Sequence, residues 1–96
     1  MSVHFFARFE PLRGLEGEFR DELLLVIQET RNEVGCLAIH AFESLREPWH
    51  FEIHSEWASE AAFDLHAEWP HTKRFLQAAE DLLLHPVQGL RTRQIT

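Results

Sequence analysis

From Val3 to Glu10 the chain alternates, with Val3, Phe5, Ala7 and Phe9 set against His4, Phe6, Arg8 and Glu10. A period of two, rich in aromatics, predicts a strand, because successive side chains leave a strand on opposite faces. Pro11-Leu12-Arg13-Gly14 breaks it. From Leu15 the period lengthens: Phe19, Leu23, Val26, Ile27 and Thr30 fall on one helical face, with Arg20, Asp21, Gln28 and Glu29 elsewhere. This helix is expected to run to about Glu33 and to stop at Gly35, a residue suited to the position after a helix end.

Cys36 to Leu45 predicts a second strand, Arg46-Glu47-Pro48 a turn, and Trp49 to Trp57 a third strand. In the third, Trp49, Phe51, Ile53, Ser55 and Trp57 share one face and His50, Glu52, His54 and Glu56 the other. Strands two and three therefore form a hairpin. Ser59 is a suitable N-cap for the next helix. Pro70 interrupts that helix and, being tolerated best in a first turn, opens a new helical segment there. Phe75, Ala79, Leu82 and Leu83 mark the buried stripe of this segment, and Pro86 bounds it. Val87 to Ile95 is a weaker last strand. The order β-α-β-β-α-β predicts an α+β, ferredoxin-like domain spanning residues 1–96, a four-stranded antiparallel sheet with its helices on one face.

One layer of helices leaves the other sheet face bare, and on strand three that face carries His50, Glu52, His54 and Glu56. Such a row is too polar for a monomer core but acceptable between two sheets, which predicts a homodimer paired through its sheet faces. His and carboxylate two or four apart could also ligate a metal; cross-subunit hydrogen bonds and ion pairs are the preferred reading, with acid expected to loosen the dimer as the histidines gain charge.

Size and charge narrow the function classes. The 96 residues fit one domain, and a formal charge of −7 argues against nucleic acid as a partner. No basic amphipathic stretch marks a membrane surface, and the longest apolar run, Leu23 to Ile27, cannot span a bilayer. Met1-Ser2-Val3-His4 lacks a signal-peptide pattern. The single cysteine, Cys36, suits a reducing compartment, so a cytoplasmic location is expected. Cys36 has no nearby base and reads as a small buried hydrophobe. There is no Tyr, no Gly-rich phosphate loop, no GxSxG and no dinucleotide fingerprint.

Several stretches resemble the antibiotic biosynthesis monooxygenase family in order and spacing. They are Arg8-Phe9, then Thr30-Arg31-Asn32-Glu33-Val34-Gly35-Cys36-Leu37, then Glu56-Trp57-Ala58-Ser59-Glu60-Ala61-Ala62-Phe63-Asp64-Leu65-His66, and Pro70-His71 followed by Phe75. Val34 stands where the family usually has Pro, and Ser55 where it often has Glu. The resemblance implies a dimeric α/β barrel with a pocket between the sheet and the helices of each subunit. It further implies oxidation of a small electron-rich aromatic, a quinol or polycyclic phenol, by molecular oxygen, without metal, flavin or haem. The haem-degrading branch is set aside, because Ala7, His66 and roughly Leu76 occupy the positions where that branch needs Asn, Trp and His.

Within this frame His66 is the first candidate for a catalytic base, since a phenolate yields an electron to oxygen far more readily than a phenol; the competing reading is a half-buried His bonded to a backbone carbonyl. Trp57, Phe5, Phe51 and Ile53 are candidate substrate-binding walls, or simply core. Trp69 and His71, at the helix break, are candidates for a pocket mouth. His66 and His71 are five apart across Pro70 and match no familiar zinc motif, so no metal is expected. Two other readings stay open: an isomerase-type barrel enzyme without oxygen chemistry, and a non-catalytic small-ligand or stress module.

Overall fold

A computed structural model describes residues 2–96; Met1, the first residue of the stretch read as lacking a signal peptide, lies outside the described residues. Four strands, β1 (Val3–Phe9), β2 (Cys36–Glu43), β3 (Phe51–Trp57) and β4 (Gln88–Thr92), form one antiparallel sheet in the order β2-β3-β1-β4. Helix α1 (Glu16–Thr30) connects β1 to β2, and α2 (Glu60–His66) and α3 (Pro70–Glu80) together connect β3 to β4. This is the ferredoxin-like α+β arrangement that the hydrophobic pattern predicts, with the second helical connection broken in two at Pro70, the first residue of α3.

Register sets the two sheet faces. Phe6 pairs with both His54 and Leu90, and His54 with His40, so these four share the outer face; Ala7 pairs with Ile53 and Gly89, and Ile53 with Ala41, on the inner face. The inner face meets the helices over a core of Phe9, Phe19, Leu23, Ile27, Phe51 and Phe75, whose rings meet at tilted or edge-on angles. Gly89 has no side chain because Phe5 occupies the space: a Cβ there would lie 2.5 Å from the Phe5 ring.

Element ends differ from the sequence reading where local hydrogen bonds win. Helix α1 stops at Thr30 rather than near Glu33, because Asn32 N–H and Glu33 N–H turn back to the Glu29 and Thr30 carbonyls in tighter three-residue turns. Strand β2 ends at Glu43, not Leu45, and β3 begins at Phe51, not Trp49. Between them the Ser44 hydroxyl accepts from Glu47 N–H and the Glu47 carbonyl from His50 N–H. The turn thus takes His50 out of the predicted His/Glu row and pairs it with Glu10 and Glu47 at 3.2 and 2.5 Å. Glu52, His54 and Glu56 stay on the outer face. Leu82 and Leu83 lie beyond the end of α3, half-buried against the core, and β4 is confined to Gln88–Thr92. Among the described residues, no helix is long and apolar enough to cross a membrane.

Candidate functional site

A cavity of about 240 Å³ lies between the inner sheet face and the helices. Its wall is apolar, with Phe5, Ile53, Phe63, Phe75 and Val87 prominent, and the polar side chains that reach it are Thr30, Ser55, Thr72 and His66. No Arg, Lys, Asp or Glu lines it among the described residues. The Thr30 hydroxyl is buried and has no hydrogen-bond partner among the described residues.

His66 enters from the last turn of α2. The helix begins where Ser59 Oγ accepts Ala62 N–H at 3.1 Å, and seven residues later His66 sits over Trp57, their ring centroids 4.7 Å apart. On the far side, Arg91 of β4 pairs with Glu60 and Asp64 at 3.1 and 3.0 Å and covers the Phe63 ring, fastening α2 to the sheet edge.

The partner of His66 is a residue to which the sequence reading gave no role. Glu33, in the turn after α1, has a side chain only 4 % exposed, and its Oε2 lies 2.8 Å from His66 Nδ1 and 2.5 Å from His71 Nε2. The turn that delivers it depends on Gly35, which has φ +93° and whose missing Cβ would lie 2.6 Å from Ala62 Cβ; Gly35 also accepts Ala58 N–H at 2.8 Å. Helix α2 therefore packs directly onto the loop that carries Glu33.

Chemistry fixes the protons in this trio. A carboxylate only accepts hydrogen bonds, so each neutral imidazole must present an N–H to Glu33, His66 through Nδ1 and His71 through Nε2. That leaves the lone pair of His66 on Nε2, which finds no protein partner among the described residues, on a ring that lines the cavity. Thr72 Oγ1, 3.3 Å from His66 Nδ1, is a secondary contact on the Glu33 side.

The other expected site residues fall in different places. Phe5 and Ile53 line the cavity with His66. Trp57 is completely buried one layer behind, its indole N–H donating to Ser55 Oγ at 2.9 Å, and it backs His66 rather than facing the cavity. Phe51 is on the inner face but at the opposite end of the core, 5.3 Å from the Phe19 ring. His71 reaches Glu33, not the cavity, and stacks on Trp69 at the surface, which is 42 % exposed. A larger groove of about 470 Å³ at the far end of the sheet, between Arg8, Glu10, Phe42 and His50, is open and polar and lacks an enclosed apolar wall. Cys36 is half-buried; burial and the nearby Glu33 carboxylate push its thiol pKa up, which makes it a poorer nucleophile than a free thiol. Glu33 escaped notice in the sequence because it stands 33 positions from His66 in a polar turn, where an acidic residue ordinarily reads as solvated.

Residues 2–78 match the family described as Antibiotic biosynthesis monooxygenase. The chain is 32% identical over 75 residues to the Bacillus subtilis protein named "Putative monooxygenase YcnE", covering 78% of this chain and 79% of that one. Its fold superposes on Rv0793 from Mycobacterium tuberculosis with a TM-score of 0.94 at 26% identity, covering 100% of this chain and 97% of the other. It superposes on PA3566 from Pseudomonas aeruginosa with a TM-score of 0.92 at 22% identity, covering 99% and 95%. With the family matched over most of its length, the chain belongs to the antibiotic biosynthesis monooxygenase family.

Proposed function

We propose that this protein is a cofactor-independent monooxygenase that oxidises a small electron-rich phenol or quinol with molecular oxygen, using His66 as the base. The observation that carries the reading is the orientation of His66. Glu33 holds the Nδ1 proton, so the basic Nε2 is left on a ring that walls an apolar cavity. A phenol bound there would lose its proton to Nε2, and the imidazolium so formed would be stabilised by the adjacent carboxylate. The phenolate then supplies electrons to oxygen. For a phenol with a free para position, the products are a quinone and water: one oxygen atom joins the ring carbon, the other leaves as water, and the four electrons come from the substrate; a quinol instead gives up two electrons and two protons, yielding quinone and hydrogen peroxide with no oxygen inserted. No external reductant is required.

The cavity volume bears on the substrate. At about 240 Å³ it is below the roughly 300–1,000 Å³ of sites for drug-sized ligands, so a one- or two-ring compound fits better than a larger polycyclic phenol. The absence of cationic lining among the described residues weighs against a phosphorylated substrate, and so against that kind of isomerase. The unpartnered Thr30 hydroxyl suits a second substrate oxygen. We also propose that two copies pair through their outer sheet faces, where Phe6, Phe42 and Leu90 are exposed at 37%, 57% and 64%, and that the protein works in a reducing, cytosolic setting suited to its half-buried thiol.

Isotope labelling tests the reaction. Turnover of a one- or two-ring hydroquinone or phenol under ¹⁸O₂ should place a single labelled oxygen in the quinone formed from the phenol. A product carrying only solvent oxygen, or tight ligand binding with no product across the panel, would replace this reading with a hydrolytic or a purely ligand-binding one.

A further inference from the structure

We infer that Glu33, His66 and His71 also form a binding site for a divalent transition metal of the zinc type, and that metal bound there switches the proposed oxidation off. Two imidazole nitrogens and a carboxylate oxygen all lie within 4.8 Å of one another, delivered by three separate segments: the turn after α1, the end of α2 and the start of α3. Three protein ligands of these types plus an open fourth position for water are what a tetrahedral Zn²⁺ accepts. Bonds of about 2.0–2.2 Å set tetrahedral donor atoms roughly 3.3 Å apart, so the 2.8 and 2.5 Å contacts need to open by less than about 1 Å. The two rings are partly accessible, at 17% and 15% of their side-chain surface, which gives an ion a way in.

The consequence for catalysis follows from the tautomer and rests on the proposed role of His66. A neutral imidazole carries one N–H and one lone pair. A metal on Nδ1 uses the lone pair there, so the ring proton must reside on Nε2. His71 switches in the same way, with metal on Nε2 and its proton on Nδ1. No proton need leave either neutral ring; each changes nitrogen. The metal thus removes the base from the cavity without entering it, and would inhibit even with the cavity free for substrate.

Zinc and cobalt(II), added to the metal-stripped full chain, test the two parts separately. Calorimetry should give one Zn²⁺ per chain, and Co²⁺ should give the intense visible absorption of a four-coordinate site. Glu33→Gln and His71→Ala, which alter different segments and are checked for folding by circular dichroism, should each weaken binding beyond the about 10–100-fold typical of losing an outer-shell partner. Binding that survives both variants but is lost in His50→Ala would locate the metal at the Glu10–His50 surface cluster and overturn the site, as would the absence of saturable binding. Oxygen uptake should fall in step with zinc occupancy and return with a chelator. Uptake unaffected at full occupancy would overturn the switch. If the protein shows no oxygen uptake at all, the calorimetry and the cobalt spectrum still decide the metal site, so failure of the monooxygenase reading and failure of this one are separable.

Discussion

At the scale of single residues, one carboxylate organises the site. Glu33 is buried and accepts from two histidines, and a buried carboxylate without such donors would be costly. Its charge orients His66 and supports the imidazolium. Glu33→Gln keeps the shape and removes the charge, and should lower turnover on the order of tenfold, equivalent to about 1.4 kcal/mol. In the metal-free wild type, the ring-nitrogen NMR signals of His66 should report a proton on Nδ1 and a bare Nε2; the opposite tautomer would remove the argument for the base. Cys36 gives a separate check. Burial and the Glu33 carboxylate keep its thiol protonated, so alkylation by iodoacetamide at neutral pH should be far slower than that of a free thiol, and should accelerate on unfolding. Alkylation of the folded protein at the free-thiol rate would contradict that placement.

At the scale of elements, the site depends on two local devices. Ser59 caps α2, whose last residue is His66, and Ser59→Ala should cost about 1 kcal/mol in a urea titration. Gly35 turns the chain at a positive φ beneath Ala62, and Gly35→Ala should cost more, about 2–3 kcal/mol, because it adds a steric collision to the backbone strain. Equal losses for the two variants would mean that the turn yields easily. Both devices were legible in the sequence: a Ser two residues after a strand-ending Trp, and a Gly after an amphipathic run. So was the helix break, because Pro70 has no N–H to offer an ongoing helix. The β2–β3 turn was not. Trp49 and His50 continue the alternation of β3 perfectly well, yet the Ser44–Glu47 and His50–Glu47 hydrogen bonds hold them in a turn, with Trp49 packed under the Arg13 guanidinium at 4.1 Å. Periodicity records which face a residue would take in a strand; it does not record what else its backbone can bond to.

At the scale of the whole molecule, the sequence revealed the fold through the order of its periods, while His66 entered as a candidate through the family resemblance of the Glu56–His66 stretch. The rest of the site arises only when α1, α2 and α3 converge, since no local pattern couples Glu33 to His66 or His71. The same holds for Trp57 and Phe51: alternation places both on the inner face, but only packing puts one behind His66 and the other at the far end of the core. The outer face carries the proposed subunit contact. Sedimentation at neutral pH should give twice the 11.3 kDa chain mass. Leu90→Asp should shift the protein toward monomer, since exposing one buried Leu costs about 1.5–3 kcal/mol, a tenfold or larger weakening. A wild-type monomer, or a dimer indifferent to Leu90→Asp, would place the contact elsewhere. The same face holds His4 Nδ1 and His54 Nε2 2.9 Å apart, sharing one hydrogen beside Glu56 and the Phe6 ring.

The claim that joins these scales is that His66 is the base of a reaction needing only substrate and oxygen. Its most direct measurement is oxygen uptake by the metal-stripped protein with one- and two-ring hydroquinones and phenols, the folded His66→Ala variant run beside it. The wild type should take up oxygen, and the variant should lose about 100- to 10,000-fold of that rate. Equal uptake by the two, or none above the blank by the wild type with any compound, would contradict it.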